Sequence, residues 1–263
     1  CTRRSWMKEV SMSEDHILLE RPQVAAGVQV IRFNRPDKKN AITDAMYRSM
    51  IEALKAADAD EDIRAIVFLG TPGCFSAGND MADFLGFAMS GGKGRLTAGD
   101  FLHTLVSVEK PIVSGVDGLA IGIGTTLNLH CDLTVASSRS LFKTPFVDLA
   151  LVPEAASSLL VPRIAGHQRA FALLAAGEGF SAEQAMAAGL IWKVVPETDV
   201  EAETLKIAAN LASKPPQALK IARDLVRGDV DAIRARIDEE IVHFAAQLQS
   251  SEARAAFEAF MRR

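Results

Sequence analysis

Two short glycine-bearing stretches constrain this chain most: FSAGND at residues 75–80 and GLAIGIGTT at 118–126. The first follows the apolar run Ala65-Ile66-Val67-Phe68-Leu69-Gly70, which reads as a buried strand. The second follows Pro111-Ile112-Val113-Ser114-Gly115-Val116, which reads as another. Both are small-residue turns at strand ends, where α/β proteins place ligands. Glycine there lets the backbone approach a ligand and aim its N–H groups at it. Two such turns can form an oxyanion hole, a pair of donors for a carbonyl oxygen that gains negative charge. Taken alone, either turn is also read as a loop that only packs, because short motifs match by chance.

A chain of 263 residues with 49% hydrophobic side chains can build one large α/β core. No run of about 18 uncharged apolar residues is present, which argues against a membrane span. The net charge of −4 argues against a nucleic-acid partner but allows a local basic patch for one anionic ligand. Cys1, Cys74 and Cys131 lack metal-like spacing and are odd in number, as expected of reduced cytoplasmic thiols. The opening CTRRSWMKEVSM has no initial Met, and Met7 or Met12 could initiate, so residues 1–15 read as a leader or extension.

Val28–Phe33 alternates as a strand, and the loop Asn34-Arg35-Pro36-Asp37-Lys38-Lys39-Asn40 ends it. Thr43 caps a predicted helix through about Ala59, with Met46, Met50, Ile51 and Leu54 as its apolar stripe. A short helix is expected over 80–85, then a glycine-rich mobile loop over 86–99. A helix over 100–107 leads into a strand at 111–116; residues 119–129 read as a buried helix and 131–136 as a strand. From Pro153 onward the pattern is helical, at 154–164, 167–176, 181–187, 198–213, 215–227, 229–248 and 251–262, with one short strand over 192–195. The chain thus divides into an α/β core over 16–198 and a helical region over 199–263.

With these pieces in order, the chain resembles the crotonase superfamily of acyl-CoA enzymes, the enoyl-CoA hydratases and isomerases, over about residues 16–262. The resemblance rests on RPDKKNAIT (35–43), CFSAGND (74–80), KPIVSGVDGLAIGIGTTLNLHCDL (110–133), FKTPFVDLALVPEAASSLLVPRIAG (142–166) and FSAEQAMAAGLIWKVV (180–195). It implies a crotonase-like α/β core of ββα spiral repeats followed by a helical C-terminal region. It also implies an acyl-CoA thioester substrate, with coenzyme A as part of the substrate and no separate cofactor, and a trimer or dimer of trimers. The tail carries apolar residues that a surface location would leave in water, among them Leu205, Ile207, Leu211, Leu225, Ile233, Ile237, Phe244 and Phe257.

In this family the oxyanion donors are backbone N–H groups, and the matching positions here are Asn79 and Ile123. The family often has Gly at the second; a side chain leaves the N–H intact and tightens the wall. Such donors matter because α-proton removal from a thioester gives an enolate, and losing one typically costs roughly 10²–10³ in rate. Positions matching family contacts to coenzyme A or substrate are Lys38, Lys39 and Ala41 in a cationic loop with Arg35, then Ala77, Gly78, Asp80, Met81 and Gly122. Phe260 matches an aromatic that in relatives lines a neighbouring subunit's site. Plainer roles fit some of these residues: a solvated charge run for the lysines, a helix cap for Asp80, helix packing for Phe260.

Enoyl-CoA hydratases carry two glutamates, and the matching positions here are Thr126 and Phe146, neither of which titrates. This departure argues against water addition. Glu154, in Val152-Pro153-Glu154-Ala155-Ala156, lies where Δ3,Δ2-enoyl-CoA isomerases of the family place a single catalytic carboxylate. On local pattern alone it is an acid in the first turn of a helix, beside a proline. One carboxylate suffices to move a proton from C2 to C4, and the apolar setting of Phe146, Leu149, Leu151 and Val152 would raise its pKa. Asp148 is a second candidate acid or a solvated loop residue, and Asp132 matches a structural position. His103, His130 and His167 show no metal-like or triad-like arrangement, and Ser76, Ser157 and Ser158 have no base beside them. The resemblance therefore implies an isomerase using Glu154. Hydration or thioester hydrolysis with another acid is one alternative, and a non-catalytic acyl-CoA-binding protein, which would need no carboxylate at 154, is another.

Overall fold

The segments 28–33, 65–69 and 112–116 lie side by side as parallel strands, each in the interior of one sheet. In the computed structural model, which describes residues 16–83, 86 and 97–261, the strands are β1 (Ile17–Glu20), β2 (Val28–Phe33), β3 (Ala65–Leu69), β4 (Cys74–Ser76), β5 (Ile112–Val116), β6 (Leu119–Ile121), β7 (Leu133–Ser137), β8 (Leu141–Lys143), β9 (Phe180–Ser181) and β10 (Lys193–Val195). The helices are α1 (Asp44–Ala59), α2 (Thr97–Ser107), α3 (Ile123–Thr126), α4 (Ser157–Ala165), α5 (His167–Leu174), α6 (Ala182–Ala187), α7 (Val200–Ala212), α8 (Pro216–Arg227), α9 (Val230–Leu248) and α10 (Ser251–Met261).

One sheet has the order β1-β2-β3-β5-β7-β10, and a smaller one has β4-β6-β8-β9. The pairs β3/β4, β5/β6 and β7/β8 each give one strand to either sheet, which is the expected spiral. β3 is buried at every position because both of its faces are covered. Ile66 and Phe68 face the core under α1 and α2, whereas Ala65, Val67 and Leu69 pack with Leu205, Ala208 and Ala212 of α7. Thr43 caps α1 by accepting the Met46 N–H, and Met46, Met50 and Leu54 are buried along its inner face.

Several boundaries differ from the sequence reading. FSAGND begins as the strand β4, and 119–129 begins as β6 before turning helical. These strands, with β8 and β9, have two or three residues each, too few for periodicity, and their neighbours in the second sheet define them. The helix expected at 154–164 starts at Ser157, and that expected at 100–107 starts at Thr97. Met81–Asp83 are helical as expected, but most of the predicted loop at 86–99 lies outside the described residues.

The tail is built into the molecule rather than laid upon it. Leu205, Ile233, Ile237, Phe244 and Phe257 are buried within the chain itself. Its outward apolar face is on α8, where Ile221 is joined by Leu225 and Val226, 79% and 88% exposed. The Phe260 side chain lies outside the described residues. Among the described residues no helix is long and apolar enough to cross a membrane.

Candidate active site

β4 and β6 are parallel neighbours, with Cys74 opposite Leu119 and Ser76 opposite Ala120, so the turns that leave them lie together. Gly78 (φ +94°) and Gly122 (φ +55°) adopt conformations that L-residues seldom take. A Cβ on Gly78 would stand 2.9 Å from the Ile121 carbonyl oxygen, so the two turns touch through backbone. Ile42 N–H donates to the Gly78 carbonyl at 2.8 Å, and Asp80 N–H donates to the Ile42 carbonyl at 2.9 Å. That bridge turns the intervening Asn79 N–H away from Ile42. Ile123 opens α3 with its side chain buried in the main core. Among the described residues neither the Asn79 nor the Ile123 N–H has a partner. Both predicted donors thus lie on turns that touch, and both are left spare.

The loop before α1 is tied to the first turn. Arg35 pairs with Asp80 at 2.6 Å and donates to the Ala41 carbonyl at 3.0 Å, so it is not a free member of a cationic loop as the sequence suggested. Lys38 and Lys39 are exposed. Asn40, missed by the sequence reading, is buried and donates to the Cys74 and Phe75 carbonyls while accepting the Arg35 N–H. Ala77 N–H donates to the Lys39 carbonyl at 2.9 Å. Asp80 accepts the Ala82 N–H at 2.9 Å, the capping role its position suggested. Met81 packs half-buried against the main core.

Glu154 stands on the opposite wall, ahead of α4 rather than within its first turn. Ala155 and Ala156 follow in left-handed conformation, with φ of 60° and 54°, and reverse the chain before Ser157. Glu154 is 8% exposed and accepts the Thr126 hydroxyl at 2.5 Å. Burial pushes its pKa up to about 8; the Thr126 bond opposes the shift and the field of Glu240 adds to it. Phe146 and Leu151 are buried in the same core, with Leu149 and Val152 packed against it.

Tyr47, the only tyrosine of the chain, was hidden in the apolar stripe of α1. Its hydroxyl donates to Asn79 Oδ1 at 2.5 Å, and burial together with the field of Glu154 holds its pKa well above the usual value. The site therefore joins Asn79, Ile123, Thr126, Glu154 and Tyr47. Asp148 is exposed and turned toward Gly177. Asp132 is structural, accepting the Ile112 N–H and pairing with Arg223, both at 2.8 Å. His103 pairs with Asp238 on the surface. His130 is buried, and its ring Nε2 lies 2.8 Å from the Ala155 carbonyl. Two clefts among the described residues, of about 570 and 560 Å³, lie around Lys110 and His103 and contain none of the five candidate residues.

A family model described as enoyl-CoA hydratase/isomerase matches residues 23–263. Enoyl-CoA delta isomerase 2 of Rattus norvegicus is 36% identical over 242 residues, covering 90% of this chain and 62% of that protein. Enoyl-CoA delta isomerase 3, peroxisomal, of Mus musculus is 35% identical over 205 residues, covering 76% of this chain and 64% of its own length. The chain thus spans somewhat under two thirds of these relatives. The solved structure of Pseudomonas aeruginosa OdaA superimposes with a TM-score of 0.89 at 38% identity, covering 95% of this chain and all of that one.

Proposed function

Since the chain belongs to the enoyl-CoA hydratase/isomerase family, we propose that it is a Δ3,Δ2-enoyl-CoA isomerase with Glu154 as its single acid/base. The thioester carbonyl of a 3-enoyl-CoA accepts the spare N–H groups of Asn79 and Ile123. Ionised Glu154 takes a proton from C2, and the electron pair spreads over the dienolate to the carbonyl oxygen. The carboxylic acid so formed delivers the proton to C4, and the double bond is left between C2 and C3. No atom is gained or lost, and Glu154 returns to its ionised form. A pKa near 8 suits both half-steps, because a group that must take and return a proton works best near the ambient pH.

One observation carries this reading: a buried carboxyl, bonded to the end of the short helix that begins with the spare Ile123 amide, is at 154, while positions 126 and 146 hold Thr and Phe. The exposed Lys38 and Lys39 beside Ala41 supply positive charge for coenzyme A phosphates. Ala77, Gly78, Asp80, Met81 and Gly122 form the backbone along which its pantetheine arm would lie. By the resemblance the working form is a trimer or dimer of trimers, in which Phe260 reaches a neighbour's site.

The test is to assay the purified chain against 3-enoyl-CoA and 2-enoyl-CoA side by side, with Glu154→Gln in parallel. Isomerisation that falls by roughly 10²–10⁴ in the variant, with acyl-CoA affinity kept, supports the reading. Retention of more than about a tenth of wild-type kcat removes Glu154 as the base. Hydration as fast as isomerisation would overturn the isomerase assignment.

A further inference from the structure

Glu240 reaches from α9 to the turn that carries Glu154. Its Oε2 accepts the Ala156 N–H at 2.6 Å, and its Oε1 accepts the N–H and hydroxyl of Ser158 at 3.0 and 2.5 Å. It is only 5% exposed, although it lies in the helical tail far along the chain from the turn it holds. On the other side of that turn stands His130, whose burial pushes its pKa down to about 4 and leaves the ring neutral. Its Nε2–H can then donate to the Ala155 carbonyl. Between these two supports lie Ala155 and Ala156, both in left-handed conformation. Alanine keeps such a backbone only where its surroundings over-determine it.

We propose that Glu240 is a positioning residue for the reaction: by holding the Ala156 and Ser158 N–H groups it fixes the left-handed turn and thus the direction in which Glu154 presents its carboxylate. The proposal rests on the reading of Glu154 as the base. The Ser158 N–H is one of the orphan donors that any cap on α4 would satisfy. Glu240 grips both the last residue of the turn and the second residue of the helix.

Glutamine at 240 has the same shape but turns an NH₂ group toward one set of donors, so either Ala156 or Ser158 loses its acceptor. Aspartate keeps the charge but shortens the reach. The charged and titratable groups around Glu240 are Arg236, Glu239 and His243 of its own helix, which line the cleft beside Pro153, together with Glu154 and Ser158. Arg236 also donates to the Ser158 hydroxyl at 3.1 Å.

The experiment measures kcat, KM and the pH profile of kcat with a 3-enoyl-CoA for the full chain and for E240Q, E240D, E239Q and E154Q, with thermal unfolding of each. E240Q and E240D are expected to lose about 10²-fold in kcat, because a misplacement of about 1 Å costs that much. Their KM should stay within about threefold, since the loss is in the reacting geometry and not in uniform binding. The pH midpoint should fall in E240Q, where a negative charge near Glu154 is gone, and hold in E240D. E239Q, which removes the adjacent exposed carboxylate, should behave as wild type. Folded E240Q and E240D with wild-type kcat overturn the proposal, as does a moved pH midpoint in E240Q without loss of kcat. If E240Q does not fold, E240D decides by the same criterion. An active E154Q would instead sink the assignment of the base, whatever the Glu240 variants do.

Discussion

Thr126 donates its hydroxyl proton to Glu154 Oε1 across 2.5 Å, joining the end of the four-residue helix α3 to the turn on the facing wall. The same helix begins with Ile123, so one turn of backbone carries a proposed oxyanion donor at its start and the carboxyl group's partner at its end. The residue that stands in place of a family glutamate thus serves the glutamate that remains.

Thr126→Val should therefore keep the packing and lose the bond. Because this bond holds the Glu154 pKa down against burial, its loss moves the midpoint of the pH–rate profile above about 8. At neutral pH less carboxylate is ionised, and isomerisation should fall about tenfold, the change expected for one pKa unit. An unmoved midpoint, measured from pH 6 to 10 with a 3-enoyl-CoA, would show that the bond does not act on the base.

Stability should carry the same signature. Glu154 has an ordinary value of 4.5 in the unfolded chain and about 8 when folded. Between those values the folded chain holds a proton that the unfolded chain has lost, so wild-type stability falls as pH rises. Glutamine at 154 has no such dependence. The Tm of E154Q relative to wild type should grow from about pH 4.5 to about pH 8 and then level off. Scanning calorimetry over that range checks it, and a constant difference would contradict the perturbed carboxyl.

Tyr47→Phe removes one hydroxyl and leaves the Asn79 side chain without its 2.5 Å partner. The expected loss of stability is about 1 kcal/mol. The expected fall in kcat is about tenfold, because a loosened Asn79 no longer aims its N–H as well. Steady-state kinetics and chemical unfolding measured on one preparation separate these effects. Full activity would leave Tyr47 a packing residue.

Gly122→Ala tests the second turn. With φ of 55° and ψ of −121°, the position suits glycine alone. An alanine there should cost about 1–3 kcal/mol or rotate the peptide that carries the Ile123 N–H. Rotation should lower isomerisation by roughly 10²–10³, the usual effect of a lost oxyanion donor. A crystal structure of the variant with an acyl-CoA analogue would show whether the peptide has turned.

The oligomer implied by the resemblance needs a test other than deletion of the last helix. Ala253 and Phe257 of α10 are buried in the chain's own core, so truncation after Ser250 would unfold the protomer as readily as dissociate it. Paired Leu225→Lys and Val226→Lys changes on the exposed face of α8 alter the surface alone. Light scattering should then report smaller particles with an unchanged Tm of the protomer; an active wild-type monomer would refute the oligomer itself.

The readable parts of the fold were those buried on both sides. The run in β3 is apolar throughout, and that in β5 is apolar but for Ser114 and Gly115, because α1 and α2 cover one face and α7 the other. β4, β6 and β8 have three residues each and leave no periodic trace. Asn79 and Ile123 were legible as candidates because glycines flank their turns and the motifs match a known family. Glu154 was legible as a residue but not as a geometry, since a proline followed by an acid also describes an ordinary helix start. Tyr47 and Glu240 could not be read: each lies in a helical pattern and finds its hydrogen-bond partner only in a distant segment.

In the proposed oxyanion hole, Asn79 and Ile123 lie in the turns that leave two neighbouring parallel strands, β4 and β6. The spacing of the strands that carry these turns, about 4.8 Å, is a constant of peptide geometry. Side-chain substitution can therefore spoil this hole but has little means of resizing it. The facing wall is different, being an irregular turn with its acid supplied by one replaceable residue. Under the proposed mechanism, moving a carboxyl group among 126, 146 and 154 would exchange one reaction of a thioester enolate for another and leave the anion-binding half of the catalyst unchanged.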